Sequence, residues 1–152
     1  MRRILPILVG VLALIGILDS GYLILDHFSN LDSVIPMVAS SCELPAGACR
    51  TVAKSTQSTV LGIPNGVFGA GYFAFVLAMV ILRMHTGKWP LPRSLPVILT
   101  LSLAYSGFLA YTMIVSMDTL CPFCMAAHCT NAVMVGFYAA SRFLDRGCAA
   151  SW

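Results

Sequence analysis

Cys121 and Cys124 stand three positions apart in the run Thr119-Leu120-Cys121-Pro122-Phe123-Cys124-Met125, where a short polar break turns into a long apolar stretch. A thiol pair at this spacing can cycle between dithiol and disulfide, and at a membrane surface it could pass electrons between a soluble partner and something dissolved in lipid. The same spacing also suits half of a zinc site, so the pair alone leaves both chemistries open. If Cys121 lies near a helix N-cap with Pro122 at the first helical position, the unpaired amides and the positive helix end stabilise a thiolate there. Cys124 then lies one turn deeper. His128 follows a further turn down the same face, with Asn131 close to that stripe, so a thiol, an imidazole and an amide enter an apolar region together. Polar groups at that depth are costly without partners, which points to a ligand pocket. Hydrogen bonds that merely hold helices together are the simpler alternative.

Positioning these groups falls to the rest of the chain, which is 59% hydrophobic and 10% charged with a mean hydropathy of +0.88. Those values exclude a water-soluble domain of 152 residues. Apolar stretches at 4–25, 60–82, 95–117 and 121–143 are each near the roughly 20 residues that cross a bilayer as a helix. They predict an all-α, integral membrane four-helix bundle, a single domain over 1–152, with an external loop over about 27–59. Arg2, Arg3, Arg83, Lys88, Arg93, Arg142 and Arg146 fall on one side of such a bundle, and only Arg50 and Lys54 on the other. Positive charge stays inside, so both termini are expected in the cytoplasm, in a bacterial inner membrane or, in a eukaryote, the endoplasmic reticulum. The net charge of +3 therefore reports topology and not nucleic-acid binding. A cleaved signal peptide is the rival reading of the first segment, but its apolar run is too long and lacks an A-x-A-like site. Asp19 within that span should face the bundle interior or the outer interface. Trp89, in the turn between the second and third spans, is expected as an interfacial anchor.

Topology sorts the six cysteines. Cys42 and Cys49 lie in the external loop and Cys121 and Cys124 open the fourth span at the same face, where disulfides persist. Cys148 falls on the reducing side, and Cys129 reads as a small buried hydrophobe. Four thiolates could alternatively pin loop to helix around zinc, without catalysis. In the second span, Asn65 is placed among Phe68 and Tyr72, which could sandwich a flat ring; a small-residue packing seam with an asparagine cap would look the same.

Taken together, the loop cysteines Cys42 and Cys49, Ser55 after them, the stretch Gly62-Ile63-Pro64-Asn65-Gly66-Val67-Phe68-Gly69, and Cys121-Pro122-Phe123-Cys124 opening the last helix resemble the vitamin K epoxide reductase family, including its bacterial and archaeal disulfide-forming homologues. The resemblance implies a relay. Cys42 would exchange with a separate, reduced thioredoxin-fold protein on the external side, Cys49 would pass the electrons to Cys121, and Cys124 would reduce a membrane quinone (ubiquinone, menaquinone or vitamin K type), with no metal. It also implies that Asn65 hydrogen-bonds a quinone oxygen, that Phe68 lines the pocket and that Ser55 supports the cysteine helix. Where the animal enzymes have tyrosine four residues after the second active-site cysteine, this chain has His128. Histidine can still donate to a quinone oxygen, and the change favours quinone reduction coupled to disulfide formation over epoxide reduction for carboxylation.

Overall fold

The computed structural model describes residues 4–28, 52, 55, 58–115 and 120–147. Cys42, Cys49, Cys148 and the short helix expected after Arg50 lie outside the described residues. In chain order the elements are α1 (Ile4–Phe28), β1 (Thr59–Val60), β2 (Ile63–Pro64), α2 (Asn65–Thr86), α3 (Ser94–Val115) and α4 (Pro122–Gly147). Each helix is long and apolar enough to cross a membrane, over Ile4–Leu25, Asn65–Thr86, Ser94–Val115 and Pro122–Asp145. Their outward faces carry Leu14, Leu18, Leu101, Phe108 and Phe143, all exposed. Such a surface is unstable in water and stable in lipid.

α1 is the hub, packed against α2 and α4, while α3 packs against α4. Small residues set how close α1 and α2 come. A Cβ on Gly16 would lie 2.5 Å from the Phe73 ring, and one on Gly69 would lie 2.8 Å from Ser20 Oγ. Neither position has room for a side chain, so the two backbones approach as glycine alone permits. Below this contact Val9, Ala13, Val76, Val80, Leu95, Leu99 and Met134 form the buried core.

The second span starts later than its hydropathy indicates. Residues 59–64 form a two-residue hairpin in which Thr59 pairs with Pro64 and Val60 with Ile63. Leu61 and Gly62 at its tip both have positive φ, 54° and 80°. Two such residues make the turn whose twist matches paired strands. Pro64 lacks an amide proton and sits with φ −58° and ψ 137°, so the helix begins only at Asn65. Apolar composition alone cannot separate a hairpin of this kind from the first turn of a helix.

The opposite end of the bundle is clamped by Trp89, which is 5% exposed. It packs into the end of the bundle between α2 and α4. Its indole N–H donates to Ser141 Oγ at 3.2 Å, and its ring meets Tyr138 edge-on at 4.8 Å. Arg83 lies 5.9 Å from the indole centroid and pairs with Asp145 at 3.1 Å. Gly87 in the left-handed conformation closes α2 by donating its N–H to the Arg83 carbonyl at 2.9 Å, and the turn then brings Trp89 back over α4.

Candidate functional site

Pro122 is the first residue of α4, which leaves Cys121 at the cap. The Cys121 carbonyl accepts the N–H of Met125 at 3.0 Å, and Cys121 Sγ accepts the N–H of Cys124 at 3.4 Å. Sulfur therefore does what serine or aspartate oxygen does at other helix starts, meeting an amide that has no partner within the helix. Negative charge on this sulfur is stabilised by that amide and by the helix end behind it. Cys121 is wholly buried, packed with Met113 beneath Leu23, Val52, Phe123, Cys124 and Met125.

Cys124 packs against this cluster and is only partly buried. It lines a cavity of about 290 Å³ bordered by all four helices at the same end of the bundle. His128 and Asn131 line it too, as the one-turn spacing from Cys124 requires. From α2 come Asn65, Phe68 and Tyr72, and from the segment before the hairpin comes Ser55. The walls are apolar with a few convergent polar groups, the composition of a site for a largely apolar ligand. The size accommodates one ring, with the Cys124 thiol and the polar groups of Asn65 and His128 on the lining.

Asn65 is held in place. Tyr105 donates its hydroxyl to Asn65 Oδ1 at 3.0 Å, which turns the Asn65 carboxamide. Pro64, one residue earlier, is the N-cap of α2 and makes no side-chain cap hydrogen bond. Deeper in the cavity Tyr72 donates to Asn131 Oδ1 at 2.8 Å, Ser102 donates to the Tyr72 oxygen at 2.8 Å, and the Asn131 amide donates to Ser106 Oγ at 2.9 Å. Asn131 is 3% exposed, and this network makes its burial tolerable. Ser55 donates its hydroxyl to the Val52 carbonyl at 2.8 Å, so it shapes the segment that covers Cys121.

The structure thus brings together Cys121, Cys124, Asn65, Phe68, His128 and Ser55, while Cys42 and Cys49 lie outside the described residues. Cys129 is exposed on the outside of the bundle and is not the buried hydrophobe expected. At 100° per residue, five positions beyond Cys124 turn it away from the cavity. The third helix was the part not foreseen: Ser102, Tyr105 and Ser106 all line the cavity. Their spacing of three and four in an otherwise apolar span is a readable signal of one polar face.

Comparison with known families decides what this arrangement belongs to. The sequence profile described as the vitamin K epoxide reductase family matches residues 7–139. The chain belongs to the vitamin K epoxide reductase family. Members are oxidoreductases of the membrane that use quinones as substrates, and the four-span bundle here is that of a multi-pass membrane protein. No curated protein and no solved structure matches the chain.

Proposed function

We propose that the chain is a quinone-dependent thiol–disulfide oxidoreductase supporting disulfide formation outside the cytoplasm. Electrons from a separate, reduced thioredoxin-fold protein pass through Cys42 and Cys49 to Cys121 and Cys124, and from there to a membrane quinone. The single observation that carries the reading is the division of the pair. Cys124 opens onto an apolar cavity with amide and imidazole groups, while Cys121 does not line it and is buried behind Leu23, Val52 and Met113, which do.

The chemistry balances within these residues. The two thiols surrender two electrons and two protons as the Cys121–Cys124 disulfide forms, which is what converts a quinone to its quinol. Cys124 supplies the sulfur nearest the ring. Asn65 and His128 hold the two sides where negative charge develops on oxygen, and such pre-set donors lower the barrier because nothing has to reorient. Exclusion of water by Phe68 and its neighbours strengthens those bonds. His128 also favours a plain quinone over an epoxide as the substrate; comparing the two substrates in one assay separates them. With both termini cytoplasmic, the loop and the pair face the partner's compartment.

The loop relay has a directional test. Cys42→Ser is expected to abolish oxidation of a reduced thioredoxin-fold protein while leaving quinone reduction by dithiothreitol, entering at Cys121 and Cys124, close to the unsubstituted rate. Equal loss of both activities would contradict the relay and make the loop cysteines structural.

A further inference from the structure

Asp19 has no part in the chemistry so far, yet its position is constrained on every side. It lies six residues below Leu25, about 9 Å into the span at 1.5 Å per residue. Its neighbours one turn up both touch the start of α4: the Tyr22 ring packs on Phe123 at 4.5 Å, and Leu23 packs against Cys121 and Met113. Residues three and four apart share a helix face, so Asp19 is on the side of α1 that looks at the Cys121 site. One carboxyl oxygen, Oδ2, is sealed from solvent and has no hydrogen-bond partner among the described residues. A charged group buried in lipid without a partner is costly, and one aimed at a buried thiol has a specific use.

Cys121 has the matching problem. It is 0% exposed, so water cannot collect its proton, and Arg83, Lys88, Arg93 and Arg142 all lie at the other end of the bundle. Among the described residues, the titratable groups at this end include Cys124 and His128 on α4, Tyr72 on α2, Tyr105 and Tyr111 on α3, and Tyr22 and His27 on α1. Of these, Cys124, His128, Tyr72 and Tyr105 line the cavity; Asp19 and Cys121 do not. Two anions in one apolar pocket repel, so Asp19 and Cys121 together favour a single shared proton.

We propose that Asp19 is the proton acceptor of Cys121, taking the proton from Sγ as Cys121 closes the disulfide and returning it when the disulfide reopens. With an oxidant joined to Cys124 Sγ, a quinone or a disulfide, the Cys121 sulfur forms a bond to Cys124 Sγ. The bond from Cys124 to the oxidant breaks, its electron pair leaves with the oxidant, and the Cys121 proton moves to Asp19 Oδ2. The identity of the physiological oxidant rests on the quinone reading above; the proton transfer does not.

The test therefore uses no quinone. In lipid nanodiscs, the reduced full chain with Cys42, Cys49, Cys129 and Cys148 replaced by Ser is mixed with an uncharged dipyridyl disulfide, which releases one thione as Cys124 reacts and a second as Cys121 closes the ring. Asp19→Asn is expected to leave the first phase unchanged and to slow the second roughly 100-fold at neutral pH, the scale of a lost general base. The slowed phase should climb about tenfold per pH unit toward the ordinary thiol range near 8.5, while the unsubstituted protein stays nearly flat. Asp19→Glu, which keeps a carboxyl, should recover a flat profile even where its absolute rate is lower. An Asp19→Asn second phase with unchanged rate and pH profile overturns the assignment. So does equal slowing of both phases in Asp19→Asn and Asp19→Glu, which would make the carboxyl a packing element. Failure of quinone reduction with an intact second phase would instead contradict the quinone reading alone.

Discussion

Cys121→Ser, reduced and mixed with a quinone under anaerobic conditions, is expected to give a visible absorbance band that the unsubstituted protein does not accumulate. In the intact pair any bond or contact between Cys124 and the ring is short-lived, because Cys121 attacks Cys124 and carries the electrons through. Without Cys121 that resolution has no nucleophile. Cys124 remains beside an electron-poor ring, one turn inside α4 and lining the cavity. A persistent thiolate in that position gives a charge-transfer complex or a stable adduct, and steady-state quinone reduction stops. The complementary Cys124→Ser should be colourless and equally inactive, since Cys121 is wholly buried behind Leu23 and Met113 and does not line the cavity. A band in Cys124→Ser but not in Cys121→Ser would reverse the roles assigned to the two sulfurs.

Asn65→Ala carries the second large effect. A hydrogen bond to a group that becomes charged contributes about 1.5–3 kcal/mol. At about 1.4 kcal/mol per decade, its loss should slow quinone reduction roughly 10- to 150-fold. Transfer of electrons from the partner to the loop pair, measured in a single turnover, should not change. Tyr105→Phe removes only the hydroxyl that orients the Asn65 carboxamide. A neutral hydrogen bond of about 0.5–1.5 kcal/mol corresponds to a loss of roughly 2- to 12-fold. Full quinone turnover in Asn65→Ala would leave that residue no role in the pocket and would displace the site.

Much of this architecture is written in local pattern. Four apolar runs of bilayer length fix four helices, and the C-x-x-C with its proline fixes where the last begins, because sulfur and proline at a helix start satisfy what the backbone there lacks. The stripe Cys124, His128, Asn131 follows from helical geometry alone, and all three line the cavity. What escaped was set by tertiary contact. Residues 60–64 are apolar enough for a span and fold as a hairpin because Gly62 and Pro64 favour a turn over a helix. Trp89 sits in a turn yet is buried, since Tyr138, Ser141 and Arg83 close around it. Tyr105 is invisible as a site residue until α3 is seen to set its hydroxyl on Asn65, forty positions earlier.

The central claim is that the dithiol at Cys121 and Cys124 reduces a quinone in the cavity beside it. An anaerobic single turnover of the reduced, full chain with a menaquinone or ubiquinone analogue, followed by peptide mapping and metal analysis, tests this most directly. One quinol per chain, with a Cys121–Cys124 disulfide formed at the same rate and no bound metal, is the result expected. An unchanged quinone together with stoichiometric zinc on the cysteines would contradict it.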